Sequence, residues 1–188
     1  MIVAAHQTNF FPYAGIIEKA RRCDRFVVLT QAQYSRGNYH NRFLLDDRWY
    51  TLAVNQTLEP LACKRYKSPR GDWEAIKRRL PAHADVLARF DDLITDSLVE
   101  TNVAIIRRLF SFLEVEADVV LDYPTELTGT ARLVDLCQRN DATVYLSGPS
   151  GKKYLDDAQF ERAGIVVEYQ EAGDRRAAVE LLMERGVA

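Results

Sequence analysis

Three clusters in this chain combine residue types able to do chemistry. The first is His6, Gln7 and Asn9, which directly follow the apolar run from Met1 to Ala5. A histidine there can act as a general base or acid near neutral pH, or donate to a phosphate or oxyanion. The two amides can orient a substrate. The second cluster is Gln31, Gln33 and Tyr34 with Tyr39, His40, Asn41 and Arg42. Amides fork to hydroxyls, aromatic rings stack on sugars or bases, and a guanidinium clamps a carboxylate or phosphate through two bonds. His40 joins His6, Gln7 and Asn9 as a catalytic candidate. Tyr13, Gln31, Gln33, Tyr34, Asn41 and Arg42 are the candidate substrate contacts. The third cluster is Ser147, Gly148, Ser150, Gly151, Lys152, Lys153 and Tyr154. A strand feeding a glycine- and serine-rich loop can aim N–H groups at a phosphate, with lysines adding charge. The spacing is not that of a Walker A loop.

Positioning such groups requires strands that end in loops. The run Met1–Ala5 reads as a buried strand, a helical pattern starts near Ala14, and Phe26–Leu29 reads as a second strand. Tyr39–Leu45 and Trp49–Val54 form a hairpin signal around Asp46-Asp47-Arg48. From Asp72, a candidate N-cap, to Leu113 the pattern is helical, with breaks at Pro81 and before Ser97. Val119–Leu121, Thr143–Leu146 and Ile165–Tyr169 are further strands, separated by helical segments. Short apolar strands alternating with helices imply an α/β fold with a mainly parallel sheet flanked by helices. Into one 1–188 domain are inserted a small β-hairpin and the helical segment 72–113. In such a sheet, ligands bind beyond the carboxyl ends of the strands, where all three clusters fall.

Composition excludes several classes. With 188 residues, 47% of them hydrophobic, the chain can bury a sizeable core. A net charge of −2 gives no chain-wide footprint for nucleic acid. No apolar stretch approaches the roughly 20 residues that span a bilayer, and no signal peptide is recognisable. The expectation is a cytoplasmic protein. Cys23, Cys63 and Cys137 form no CxxC pair, so neither a disulfide framework nor a thiolate zinc site is expected, and Cys23 and Cys137 read as small buried groups. No histidine pair has metal-ligand spacing. The pairs Asp46-Asp47, Asp91-Asp92 and Asp156-Asp157 read as turns and caps. The basic run Lys64, Arg65, Lys67 and Arg70 reads as a solvated loop.

Three blocks of the sequence, in order, resemble the WbqC-like family. HQTNFFPYAGI is similar to that family's HQPNYFPWLGY, LTQAQYSRGNYHNR to LDDVQFSKxxWxNR, and YLSGPSGKKYLD to YLSGxGGxxYLD. His6, Gln7, Asn9, Pro12, Gly15, Gln33, Asn41, Arg42, Ser147, Gly148, Gly151, Tyr154 and Leu155 match. Thr8 replaces a proline, Tyr13 a tryptophan, and Thr30-Gln31 an acidic pair. The resemblance implies surface-polysaccharide (O-antigen) biosynthesis and transfer of an aminoacyl or acyl group. The opening unit also resembles, in shape only, HIGH-type nucleotidylyltransferases, which implies a nucleotidylyltransferase or HUP-like topology and makes nucleotidyl transfer an alternative. The second histidine of those enzymes is missing. The expected substrate is phosphate-bearing or nucleotide-linked, with ATP as a candidate substrate, an aminoacyl-tRNA as a candidate donor, and no cofactor required. A non-catalytic sugar- or nucleotide-binding module is the competing reading.

Overall fold

The computed structural model describes residues 1–186. Five strands form one parallel sheet: β1 (Ile2–Gln7), β2 (Arg25–Leu29), β5 (Asp118–Leu121), β6 (Val144–Ser147) and β7 (Val166–Tyr169). Their order is β5-β2-β1-β6-β7. Ala4 stands beside Phe26 on one neighbour and Leu146 on the other. The remaining strands, β3 (Arg42–Leu45) and β4 (Arg48–Thr51), pair only with each other, antiparallel. Asp46 and Asp47 join them at φ 49° and 57°, the twist that a two-residue hairpin turn demands and that aspartate tolerates.

Alternation along the strands divides the interior in two. Val3, Ala5, Val27 and Tyr145 face helices α5 (Gly129–Arg139) and α6 (Asp157–Arg162), where Leu136, Cys137 and Phe160 complete the layer. Ala4, Phe26, Val28 and Leu146 face the other way. There they meet α1 (Ala14–Ala20), α4 (Leu98–Phe112) and α7 (Ala178–Glu184), through Ile16, Ile17, Ile105, Leu109 and Leu182. Neighbours on one strand therefore serve opposite layers, as the two-residue period requires. Both faces are covered, which is why the strand sequences are nearly all apolar. The same core runs on through the hairpin into α2 (Pro69–Arg79) and α3 (Ala84–Ala88), by way of Phe43, Tyr50, Trp73 and Leu87.

Several boundaries differ from the sequence expectation. Strand β1 continues through His6 and Gln7, which stay in register with Val28 and Leu29. Ladder bonds come from the backbone, so polar side chains do not end a strand. Helix α2 starts at Pro69, three residues ahead of Asp72. Proline is favoured in the first turn, where its missing N–H is not needed. Freed from capping, the Asp72 carboxylate accepts from the Ala53 N–H at 2.7 Å. Between the breaks at Pro81 and Ser97 the helical pattern yields only α3 and a 3-10 turn at Asp91–Leu93. Ser97 caps α4 by accepting from the Glu100 N–H. Cys23 and Cys137 are buried. Lys64 departs from the solvated-loop reading. It is 1% exposed, donates to the carbonyls of Asn55 and Thr57, and pairs with Glu59 at 3.6 Å.

Candidate functional site

Strand order reverses at β1: the connections run outward to β2 and β5 on one side, and to β6 and β7 on the other. Crossovers on opposite faces part there, which leaves a crevice beyond the carboxyl ends of β1 and β6. A cavity of about 660 Å³ lies at that point. Its size suits a small-molecule ligand. His6 and Gln7 from β1, Ser147 from β6, and the following Gly148, Pro149 and Ser150 line it. So do Tyr13 and Lys19, bracketing α1, and Tyr39, Tyr154 and Arg175 from loops. The first and third sequence clusters are thereby brought together across the junction of β1 and β6.

The state of His6 is set by its own strand. Nδ1 lies 2.8 Å from the Gln7 carbonyl oxygen. A carbonyl can only accept, so Nδ1 carries the hydrogen and Nε2 presents its lone pair. Burial, reinforced by the cation of Lys19, lowers the His6 pKa from 6.5 to about 4. In the ligand-free protein at neutral pH, His6 is thus an uncharged imidazole with an open acceptor nitrogen. Tyr13 stands edge-on to it, with ring centroids 6.3 Å apart, and Tyr39 packs against Tyr13 at 5.5 Å. These two rings, tilted by 56° to each other, make one wall aromatic.

Lys19 was not singled out from the sequence. It is 3% exposed, and its ammonium donates to the Ala5 carbonyl oxygen at 2.9 Å. Desolvation lowers its pKa to about 8. Within a helical pattern it reads as one more surface lysine, and nothing local marks it as buried. The wall formed by Gln170, Glu171, Ala172, Gly173 and Arg175 was also unforeseen. This segment follows β7 and is held on α1 by three bonds: Gly15 N–H to the Asp174 carbonyl, Ala14 N–H to the Arg176 carbonyl, and Gln170 Nε2 to the Gly15 carbonyl.

The other sequence candidates lie outside the cavity wall. Asn9 is buried, and its Nδ2 has no partner. His40 is fully buried, bonded through Nδ1 to the Thr8 carbonyl at 2.9 Å, and the His40 carbonyl accepts from Asn102 Nδ2. It pins the loop that follows β1. Tyr34 donates to Asn41 Oδ1, and Asn41 Nδ2 to the Leu52 carbonyl. The Arg42 guanidinium lies 3.9 Å over the Trp49 ring and caps the carbonyls of Gly37 and Asn38. Gln33 Nε2 donates to the Glu59 carbonyl, and Gln31 Nε2 to Thr30 Oγ1. Gly151 is the close-packed glycine of the late loop: a Cβ there would fall 2.1 Å from Ser147 Oγ. Lys152 and Lys153 point outward from a 3-10 turn, with the Lys152 ammonium 5.4 Å over the Tyr169 ring. No cluster of three or more His, Cys, Asp or Glu side chains able to hold a metal occurs among the described residues. No helix among them is long and apolar enough to cross a membrane.

Gln7 at the end of β1 and the late serine-glycine loop, which meet at this cavity, fall within a single family model, that of the WbqC-like protein family, which matches residues 7–176. The chain belongs to the WbqC-like family. It is similar to the protein Rv1507c of Mycobacterium tuberculosis (strain ATCC 25618 / H37Rv), described as uncharacterized, at 26% identity over 89% of this chain and 80% of that protein. No solved structure matches the chain significantly. Thr30 and Gln31 follow the end of β2. Both donate to Asp122, at the end of β5: Thr30 N–H at 2.7 Å, Thr30 Oγ1 at 2.8 Å and Gln31 N–H at 3.3 Å. Arg132 completes the pairing of that carboxylate. Of the donors at 30 and 31 only Thr30 Oγ1 is a side chain, so a carboxylate at position 30 would face Asp122 with like charge.

Proposed function

We propose that this WbqC-like protein is a group-transfer enzyme that moves an aminoacyl or acyl group between small substrates bound where β1 and β6 part. The observation that carries the reading is His6. It sits on the cavity wall with Nδ1–H committed to the Gln7 carbonyl, leaving Nε2 free to accept a proton. A hydroxyl or amine acceptor placed against Nε2 gives up its proton as its lone pair bonds to the carbonyl carbon of the donor. The leaving group then departs with the bonding pair and takes the proton back from His6. Histidine of pKa about 4 is a weak base at neutral pH. An anionic substrate that offsets the neighbouring Lys19 charge raises that value, so base strength is tied to occupancy.

The walls support a polar, ring-bearing substrate. Tyr13 and Tyr39 offer stacking surfaces, while Gln7, Ser147 and Ser150 offer bonds to hydroxyls. The resemblance to surface-polysaccharide proteins adds a nucleotide-linked amino sugar as a candidate substrate. Nucleotidyl transfer is the variant of this reading that the strand order keeps open.

The test is a mass-spectrometric screen of purified protein with nucleotide sugars and activated acyl or aminoacyl donors. A product of the combined mass, lost in His6→Gln while ligand binding persists, supports the enzyme. A second reading, a binding module, draws on the lack of any metal-binding cluster among the described residues. It is favoured if ligands bind equally to wild type and His6→Gln and no donor turns over.

A further inference from the structure

The cavity contains a buried positive charge with no negative partner. Lys19 is 3% exposed, and an ammonium has three donors. Only one bond is made, to the Ala5 carbonyl, and no carboxylate pairs with it among the described residues. The acidic group that acts on it is the Cys23 thiol, which burial holds protonated with a pKa pushed up to about 11. Buried charges in folded proteins are normally paired or neutralised, because an uncompensated one is costly. The groups facing the same space are the neutral His6, the phenols of Tyr13, Tyr39 and Tyr154, the exposed Glu171 and the exposed Arg175. None closes on the ammonium. By contrast, Lys152 and Lys153, the cations that the loop sequence offers for a phosphate, lie off the cavity wall.

We propose that Lys19 is the specificity-determining anchor for an anionic group of the ligand, a carboxylate or a phosphate, at the inner end of this cavity. The inference rests on the reading of the cavity as the substrate site and names the charge that site selects. Two oxygens of the anion accept the two unused ammonium donors, one each, and Arg175 meets the ligand at the outer rim. The protein without ligand therefore holds its binding site at a cost to its stability, which the anion removes.

Two variants and two probe anions test this. The melting temperature is measured in sodium phosphate, in sodium acetate and in sodium chloride of equal ionic strength. The proteins are wild type, Lys19→Met and the double variant Lys152→Ala/Lys153→Ala. Phosphate or acetate, but not chloride, is expected to raise the melting temperature of wild type and of the double variant. Lys19→Met is expected to lose that rise, with affinity for the probe down by about 10- to 100-fold. In chloride it melts at or above wild type. A response to phosphate alone assigns a phosphate ligand, and a response to acetate alone assigns a carboxylate. The proposal is overturned if Lys19→Met responds like wild type, if the double variant loses the response, or if neither anion stabilises wild type. It is equally overturned if Lys19→Met in chloride melts well below wild type, for then the ammonium is a structural strut. This readout involves no turnover. A loss of anion binding confined to Lys19→Met stands even if His6→Gln leaves group transfer intact, so failure of the anchor and failure of the catalytic reading are separate results.

Discussion

Gly173 lies against Gly15 so closely that a Cβ on Gly173 would stand 2.7 Å from the Gly15 Cα. This backbone-to-backbone contact seats the segment after β7 on the first turn of α1, beside the bonds from Gly15 N–H to Asp174 and from Gln170 to the Gly15 carbonyl. Both partners are main chain, so no side-chain rotation relieves a collision. Gly173→Ala should therefore lift the 171–175 wall from the cavity and lower the melting temperature, by about 1–3 kcal/mol of stability. Ligand binding should weaken more than the fold does. A variant with wild-type stability and wild-type binding would show that the wall sits elsewhere.

His6 makes stability depend on pH. Its folded pKa is lowered from 6.5 to about 4. Between those values the unfolded chain holds a proton that the folded chain refuses. Stability is therefore lost as pH falls from 6.5 toward 4, by about 3 kcal/mol in total. His40, also lowered by burial, acts in the same direction. Urea melts of wild type and His6→Gln at pH 7 and pH 4.5 measure the effect. The variant should lose less stability on acidification. An identical loss in both would show that His6 is accessible to protons in the folded state.

Lys19 acts at the other end of the scale. Its folded pKa is lowered to about 8 from 10.5. Between those values the unfolded chain again holds the extra proton, so this group adds stability as pH rises from 8 to 10. The Cys23 thiol, its pKa pushed up to about 11, works in the opposite direction in both proteins, so the expected result is a melting temperature that rises more, or falls less, over this window in wild type than in Lys19→Met. No difference in slope between the two would mean that the ammonium is solvated.

Asp122 holds the ends of β2 and β5 together. Its side chain is 1% exposed, it accepts from Thr30 and Gln31, and it pairs with Arg132. Asp122→Ala leaves Arg132 and the Thr30 donors without a partner and should cost about 3–5 kcal/mol by denaturant unfolding. Asp122→Asn keeps part of the hydrogen bonding and should cost less. Equal costs for the two would show that the charge carries the whole effect.

Phe11 shows how the loop between β1 and α1 is braced. It holds φ at 48°, an unfavourable value for an aromatic residue, yet it is fully buried. Its ring stacks on Trp73 at 5.6 Å and meets Phe90 at 4.9 Å. Phe11→Ala keeps the backbone strain and opens a cavity, so a loss of about 3–5 kcal/mol is expected. A loss under about 1 kcal/mol would mean that the aromatic cluster closes over the gap.

The positions of the strands, the parallel sheet and the meeting of His6 and Gln7 with the Ser147–Ser150 loop were legible in the sequence. They depend on local patterns: apolar runs of strand length, helical spacing between them, and polar residues where each run stops. The hairpin turn at Asp46-Asp47 and the burial of Cys23 and Cys137 are local in the same way. The sequence could not reveal what depends on which segments meet. Lys19 is indistinguishable in sequence from a solvated lysine, and only the packing of α1 on β1 puts its ammonium against the Ala5 carbonyl. The 171–175 wall reaches the cavity because α1 and the chain after β7 lie together, more than 150 residues apart in sequence. Asn41 and Arg42 have the chemistry of ligand contacts, yet their bonding capacity is taken by Tyr34, Leu52, Gly37 and Asn38. A side chain's type states what it can bond. Burial and the partners within reach decide which of those bonds are already made and which are left for a ligand.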